Sequence, residues 1–155
     1  MAKSIVEDYR EAFSLVSPSL PFAQGCWVAS PSGFLKVNVD GASSIDGSGT
    51  SGIGVIIRDD LGRIVAALRK ALLVHYPAEL TKFFALEHGV LLSQDLNISN
   101  VIFESDAASV IFSVNQDCNG GAMGHLVHCI MSAKLVFSCC SFHHVKRTTT
   151  GLLMS

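Results

Sequence analysis

Two aspartates stand at points where an extended run gives way to something else. The first closes Lys36-Val37-Asn38-Val39-Asp40-Gly41-Ala42. Read as a strand, this run puts Leu35, Val37 and Val39 on a buried face and Lys36, Asn38 and Asp40 on the other. Gly41 and Ala42 leave almost no bulk beside the Asp40 carboxylate. The second, Asp106, follows the apolar run Val101-Ile102-Phe103 within Phe103-Glu104-Ser105-Asp106-Ala107. Asp beside Gly is an ordinary turn pair, but a carboxylate ending a core strand also suits a metal or a catalytic role. Asp40 and Asp106 are expected to converge across neighbouring strand ends, close enough to share one cation. Without a compensating positive charge, two such carboxylates repel each other.

The elements that must position them follow from periodicity. Gly52-Ile53-Gly54-Val55-Ile56-Ile57-Arg58 alternates apolar residues with glycines, as in a strand whose other face permits close approach. Asp59-Asp60-Leu61-Gly62 has hairpin-turn composition, and Ile64–Leu73 returns as a third strand. The three runs predict an antiparallel meander. Pro77 with Glu79 in the first turn starts a helix whose apolar face carries Phe83, Leu86 and Val90 until Asn97. Val101-Ile102-Phe103 reads as a buried parallel strand. Ser105-Asp106 is placed to cap the next helix, with Val110, Ile111 and Val114 inward. After Asn119-Gly120-Gly121 a further helix runs from Met123 to Phe137, and Ser141–Lys146 is a last strand. Three strands, helix, strand, two helices, strand describes an α/β domain with a mixed sheet flanked by helices. Sites in such sheets gather at the carboxyl ends of strands.

Bulk composition bounds the rest. The 155 residues make one domain, with 49% hydrophobic and 15% charged residues, so a packed core is expected. A helix at 2–15 and a Trp27-centred linker make residues 1–30 an appendage to a domain at 31–155. No apolar run approaches a bilayer span, and no signal-peptide core follows Met1, so no membrane partner is expected. A net charge of −2 and a pI near 6.3 argue against coating nucleic acid by bulk electrostatics. The five cysteines are odd in number and lack C-x-x-C spacing, which points to reduced thiols in the cytoplasm or nucleus.

Four motifs in order resemble the plant-type RNase H-like domains. They are Trp27 through Ala42, Gly52–Asp59, Phe103–Ala107 and Phe142-His143-His144-Val145-Lys146-Arg147. Type 1 ribonucleases H share this architecture, and related domains sit in retroelement reverse transcriptases. The resemblance implies an RNase H-like fold: a five-stranded mixed sheet, a three-stranded antiparallel meander plus parallel strands. It also implies a nucleic-acid partner, an RNA–DNA hybrid above all. The family's reaction is hydrolysis of the RNA strand with two divalent ions, usually Mg²⁺ and in some cases Mn²⁺, held by four carboxylates. Asp40 and Asp106 match the first and third of these, as catalytic residues and metal ligands.

The other two positions depart from the pattern. The helix glutamate lies seven residues before the glycine of Ala-Leu-x-x-Gly, here Ala85-Leu86-Glu87-His88-Gly89, which puts Lys82 in its place. Glu79, one turn earlier, is the candidate third ligand if the helix is shifted. The alternative, favoured by the glycine register, seats Lys82 in the site paired with Glu79, where an ammonium disfavours Mg²⁺. Toward the C-terminus, Thr150 and Met154 take the Asn and acid positions, and the closing helix is missing. The functional expectation is an RNase H-type domain of the RNA–DNA hybrid ribonuclease family with impaired activity; the alternatives are a non-catalytic degenerate nucleic-acid-binding module or a truncated retroelement-derived remnant. Arg58, Lys146 and Arg147 are the candidate nucleic-acid contacts, with Arg63, Arg69 and Lys70 scattered beside them.

Other signals lead elsewhere or nowhere. His125-x-x-His128-Cys129 has metal-like helical spacing but no second ligand pair, so zinc is not expected. His143 and His144 must point to opposite faces of their strand. Gly52-x-Gly54 lacks the third glycine and the helix of a dinucleotide site. Phe83, Phe84, Phe103 and Phe112 are read as core.

Overall fold

The structure, a computed structural model, describes residues 30–43, 50–116, 120–121 and 123–146. The expected N-terminal helix, Trp27, Arg147, and the C-terminal positions of Thr150 and Met154 lie outside the described residues.

Five strands form one sheet: β1 (Leu35–Ser43), β2 (Ser51–Arg58), β3 (Ile64–Leu72), β4 (Asn100–Ser105) and β5 (Cys139–His144). Their spatial order is β3-β2-β1-β4-β5. The first three are antiparallel neighbours, while β1, β4 and β5 run parallel. This is the expected meander plus parallel strands, with β1 at the centre. Among the described residues three helices complete the order: α1 (Ala78–Asp95) between β3 and β4, then α2 (Ala108–Asn115) and α3 (Gly124–Lys134) between β4 and β5.

The turn at Asp59–Gly62 closes as its composition predicts. Asp59 Oδ1 accepts from the backbone N–H groups of Leu61 and Arg63, and Gly62 sits at φ 83°. Pro77 precedes α1 by one residue, its carbonyl accepting from Thr81 N–H at 3.1 Å. Asn97, just beyond α1, adopts φ 58°, a left-handed conformation that Asn tolerates at helix ends.

One face of the sheet is apolar. Leu68, Val55 and Val39 lie in register across β3, β2 and β1, and Ile57, Val37, Phe103 and Phe142 form a second row. Phe103 stacks on Phe142 with ring centroids 5.2 Å apart and meets Phe137 edge-on. Phe83, Leu86 and Val90 of α1, Val110, Ile111 and Val114 of α2, and Val127 and Ile130 of α3 join the same core. Side-chain amides also tie the layers: Gln94 Nε2 donates to the Ala133 carbonyl, and Asn115 Nδ2 to that of Phe142.

Several expectations fail for physical reasons. Phe112 faces outward on α2 and is 63% exposed, because the short helix has room for only one inward stripe. Gly52 does not mark a close approach, since a Cβ there would meet nothing nearer than 3.8 Å. The close approaches are at Gly41 and Gly89. A Cβ on Gly41 would lie 2.5 Å from the Thr81 carbonyl oxygen, and one on Gly89 would lie 2.7 Å from Val39 Cγ1. These two glycines let α1 lie directly on β1 and fix which of its residues meets the strand end.

Candidate functional site

Parallel pairing of β1 with β4 aligns Val39 with Ser105, so the next residues along the two chains are Asp40 and Asp106. Their carboxylates come together as the alternation of both runs requires. The group between them is an ammonium. Lys82 Nζ lies 3.0 Å from Asp40 Oδ1 and 2.9 Å from Asp106 Oδ1. The side chains of Asp40 and Asp106 are 1% and 3% exposed, and that of Lys82 is 14% exposed. The bridge is therefore largely screened from water, where charge-assisted hydrogen bonds hold most strongly. Asp40 Oδ1 also accepts from Gly41 N–H at 2.9 Å.

Glu79 does not join this centre. Its Oε1 accepts from Ser109 Oγ at 2.6 Å, linking the first turns of α1 and α2 at the surface. An i, i+3 step along a helix advances about 4.5 Å and turns through about 300°. With α1 held at Gly41 and Gly89, that step leaves Glu79 beyond the strand ends. The Lys82–Glu79 ion pair anticipated from the sequence is replaced by the double bridge to the aspartates, because two buried carboxylates outcompete one exposed one for the ammonium.

The cap at the start of α2 also differs from expectation. Ser105 Oγ accepts from Ala107 N–H at 3.1 Å, the helix begins at Ala108, and the Asp106 carboxylate is turned to Lys82. Asp106 precedes the helix by two residues and its charge is answered from α1.

The polar face of β1 extends the site. Asn38 Nδ2 donates to Glu104 Oε1 at 2.9 Å, and Lys36 Nζ lies 3.4 Å from Glu104 Oε2. Glu104 was not singled out from the sequence, although its place beside Asn38 follows from period two on β4 once the two strands are paired. Lys36 is only 5% exposed, so this face is not the solvated one its residue types suggest.

The candidate nucleic-acid contacts separate. Arg58 is 7% exposed, and burial lowers the pKa of its guanidinium; it is a buried cation of the sheet, not an exposed phosphate contact. Lys146 is exposed past the end of β5, as are Arg69 and Lys70 on β3. Arg147 lies outside the described residues. His143 and His144 are both exposed, because β5 is an edge strand.

The donor set does not fit a pair of divalent ions. Asp40 and Asp106 hold an ammonium where an ion would sit, and no group of three or more His, Cys, Asp and Glu side chains suited to a metal occurs among the described residues. His125 and Cys129 do approach each other, with Nε2 and Sγ 3.9 Å apart, but gather no third ligand. Among the described residues no helix is long and apolar enough to cross a membrane.

Solved structures share this architecture. Ribonuclease H1 of Halobacterium salinarum superimposes with a TM-score of 0.69 at 18% identity, over 76% of this chain and 89% of that one. LC11-RNase H1, determined in complex with an RNA/DNA hybrid, gives 0.62 at 16% identity, over 73% of this chain and 86% of that one. A foamy viral protease-reverse transcriptase, also with RNA/DNA hybrid, gives 0.60 at 19% identity; the match spans 78% of this chain and 18% of that much longer one. Comparison with curated proteins finds no match. The sheet order, the paired strand-end aspartates and a family profile matching residues 38–151 agree, and the chain belongs to the reverse transcriptase-like family, with an RNase H-like fold.

Proposed function

We propose that this domain binds nucleic acid, an RNA–DNA hybrid in the first instance, without hydrolysing it. Lys82 between Asp40 and Asp106 carries the proposal. Hydrolysis by two-metal chemistry needs hard cations held among several carboxylates and a water activated by one of them. Here the two converging carboxylates are committed to an ammonium, and Glu79 is committed to Ser109. An ammonium bound to two carboxylates has no means of generating hydroxide from water at neutral pH.

Binding has separate support in the fold, since two of the similar structures were determined with RNA/DNA hybrid. Exposed Arg69, Lys70 and Lys146 are available for phosphates. With a net charge of −2, affinity rests on such local contacts and falls steeply with salt.

The purified protein, given a labelled RNA–DNA hybrid with Mg²⁺ or Mn²⁺, is expected to cleave no more than its Asp40→Asn variant. Fluorescence anisotropy at low salt is expected to show binding that weakens as salt rises. Cleavage that Asp40→Asn abolishes refutes the absence of turnover. No binding at low salt refutes the nucleic-acid role.

A further inference from the structure

We infer that Lys82 is the resident cation of the Asp40–Asp106 site, a protein-borne substitute that excludes divalent metal from it and makes the site independent of ions in solution. The inference concerns the site on which the proposed lack of turnover rests, and it goes further by assigning Lys82 a positive role.

The geometry is that of a filled site. Both Nζ–O distances are ordinary for charge-assisted hydrogen bonds. Lysine has three N–H donors, and two are spent on the aspartates. The stem is rooted on α1, whose first turn is pressed against Gly41 through the Thr81 carbonyl, while Gly89 presses the same helix onto Val39. The ammonium is therefore delivered to the carboxylates at a fixed place, with an effective concentration set by the fold.

A metal ion entering faces three obstacles. It must draw the carboxylate oxygens to about 2.0–2.1 Å for Mg²⁺, well inside the present spacing. It must expel the ammonium, which stays tethered nearby as a like charge. And it gains no third carboxylate, because Glu79 stands a turn away on Ser109. The ammonium offsets one of the two buried negative charges and hydrogen-bonds both carboxylates without any ion from solution.

Lys82→Met tests this, because Met keeps an unbranched stem and removes the charge. Mn²⁺ is the probe, read by paramagnetic broadening of amide signals and by electron paramagnetic resonance, with no nucleic acid present. In the wild-type protein, millimolar Mn²⁺ is expected to leave the amides of Gly41 and Ala107 no more broadened than those of other exposed carboxylate regions. In Lys82→Met those two amides are expected to broaden selectively, with Mn²⁺ affinity at least tenfold above wild type. Adding Asp106→Asn is expected to remove the gain. Selective broadening in the wild type, or a Lys82→Met affinity equal to wild type, overturns the inference. If Lys82→Met does not fold, the wild-type titration decides alone, selective broadening refuting the inference and its absence upholding it. Failure to bind a hybrid leaves these outcomes untouched, so the two proposals fall separately.

Discussion

Placing a methyl group on Gly41 is the sharpest test of how the site is built. A Cβ there lies 2.5 Å from the Thr81 carbonyl oxygen, 2.6 Å from its carbon and 3.0 Å from Lys82 N, all of them backbone atoms. No rotamer change relieves such contacts, so the first turn of α1 must retreat by about 1 Å to reach ordinary van der Waals separation. Overpacking of this kind costs about 1–3 kcal/mol. The retreat also carries Lys82 away from Asp40, the immediate neighbour of the substituted residue, and weakens a bridge that is almost dry. Gly41→Ala is therefore expected to lose about 3 kcal/mol, the upper end of that range. Gly89→Ala is the control on the same helix. Its Cβ meets valine methyl groups, Val39 Cγ1 at 2.7 Å and Val37 Cγ1 at 3.3 Å, and not backbone. Replacing a helical glycine also returns about 1 kcal/mol of propensity, so the net loss is expected to be about 0–2 kcal/mol. Urea unfolding with a common m-value measures both. A Gly41→Ala protein within about 0.5 kcal/mol of wild type, or one more stable than Gly89→Ala, refutes the account of how α1 is seated.

Two further outcomes follow from partly buried titratable groups. Burial, aided by the nearby Lys70, lowers the pKa of His88 from 6.5 to about 4, so the folded state holds it neutral while the unfolded chain protonates. Its contribution to stability is complete above about pH 6.5 and is lost as pH falls toward 4, by about 3 kcal/mol at most; urea midpoints across that window should slope less in His88→Gln. Burial likewise raises the thiol of Cys140 to about 11, whereas its neighbour Cys139 is exposed. Iodoacetamide at pH 8 is expected to label Cys139 well before Cys140, read by peptide mass spectrometry; equal rates would refute the burial of Cys140.

The order of elements was legible in the sequence because each run has a clear period. Val37 and Val39 alternate with polar residues, Phe83, Leu86 and Val90 recur at helical spacing, and all of them are buried as their periods imply. The meeting of Asp40 and Asp106 was legible too, since strand ends in parallel register bring successive residues side by side. What remained hidden depends on contacts between distant segments. Whether Glu79 or Lys82 meets the aspartates is decided by where α1 lies along β1, and that is set by Gly41 and Gly89 together. The burial of Lys36 and Arg58 was likewise invisible, because residue type alone gives a cation no reason to be inside. Glu104 and Ser109 find their roles only through partners 66 and 30 residues away.

The sheet order also dictates when the site can come into being. β1 is central, yet its parallel neighbour β4 begins only after the meander and all of α1 have been threaded. The bridge joins Lys82 to residues 42 positions before it and 24 positions after it. A local hairpin such as that around Asp59–Gly62 closes at small entropic cost, but a three-way meeting over such spans must wait for the chain between to be ordered. While β1 has paired only with β2, Asp40 stands at a strand end with neither α1 nor β4 in place to cover it. Its burial therefore cannot be complete until α1 and β4 have docked, bringing Lys82 and Asp106 to either side.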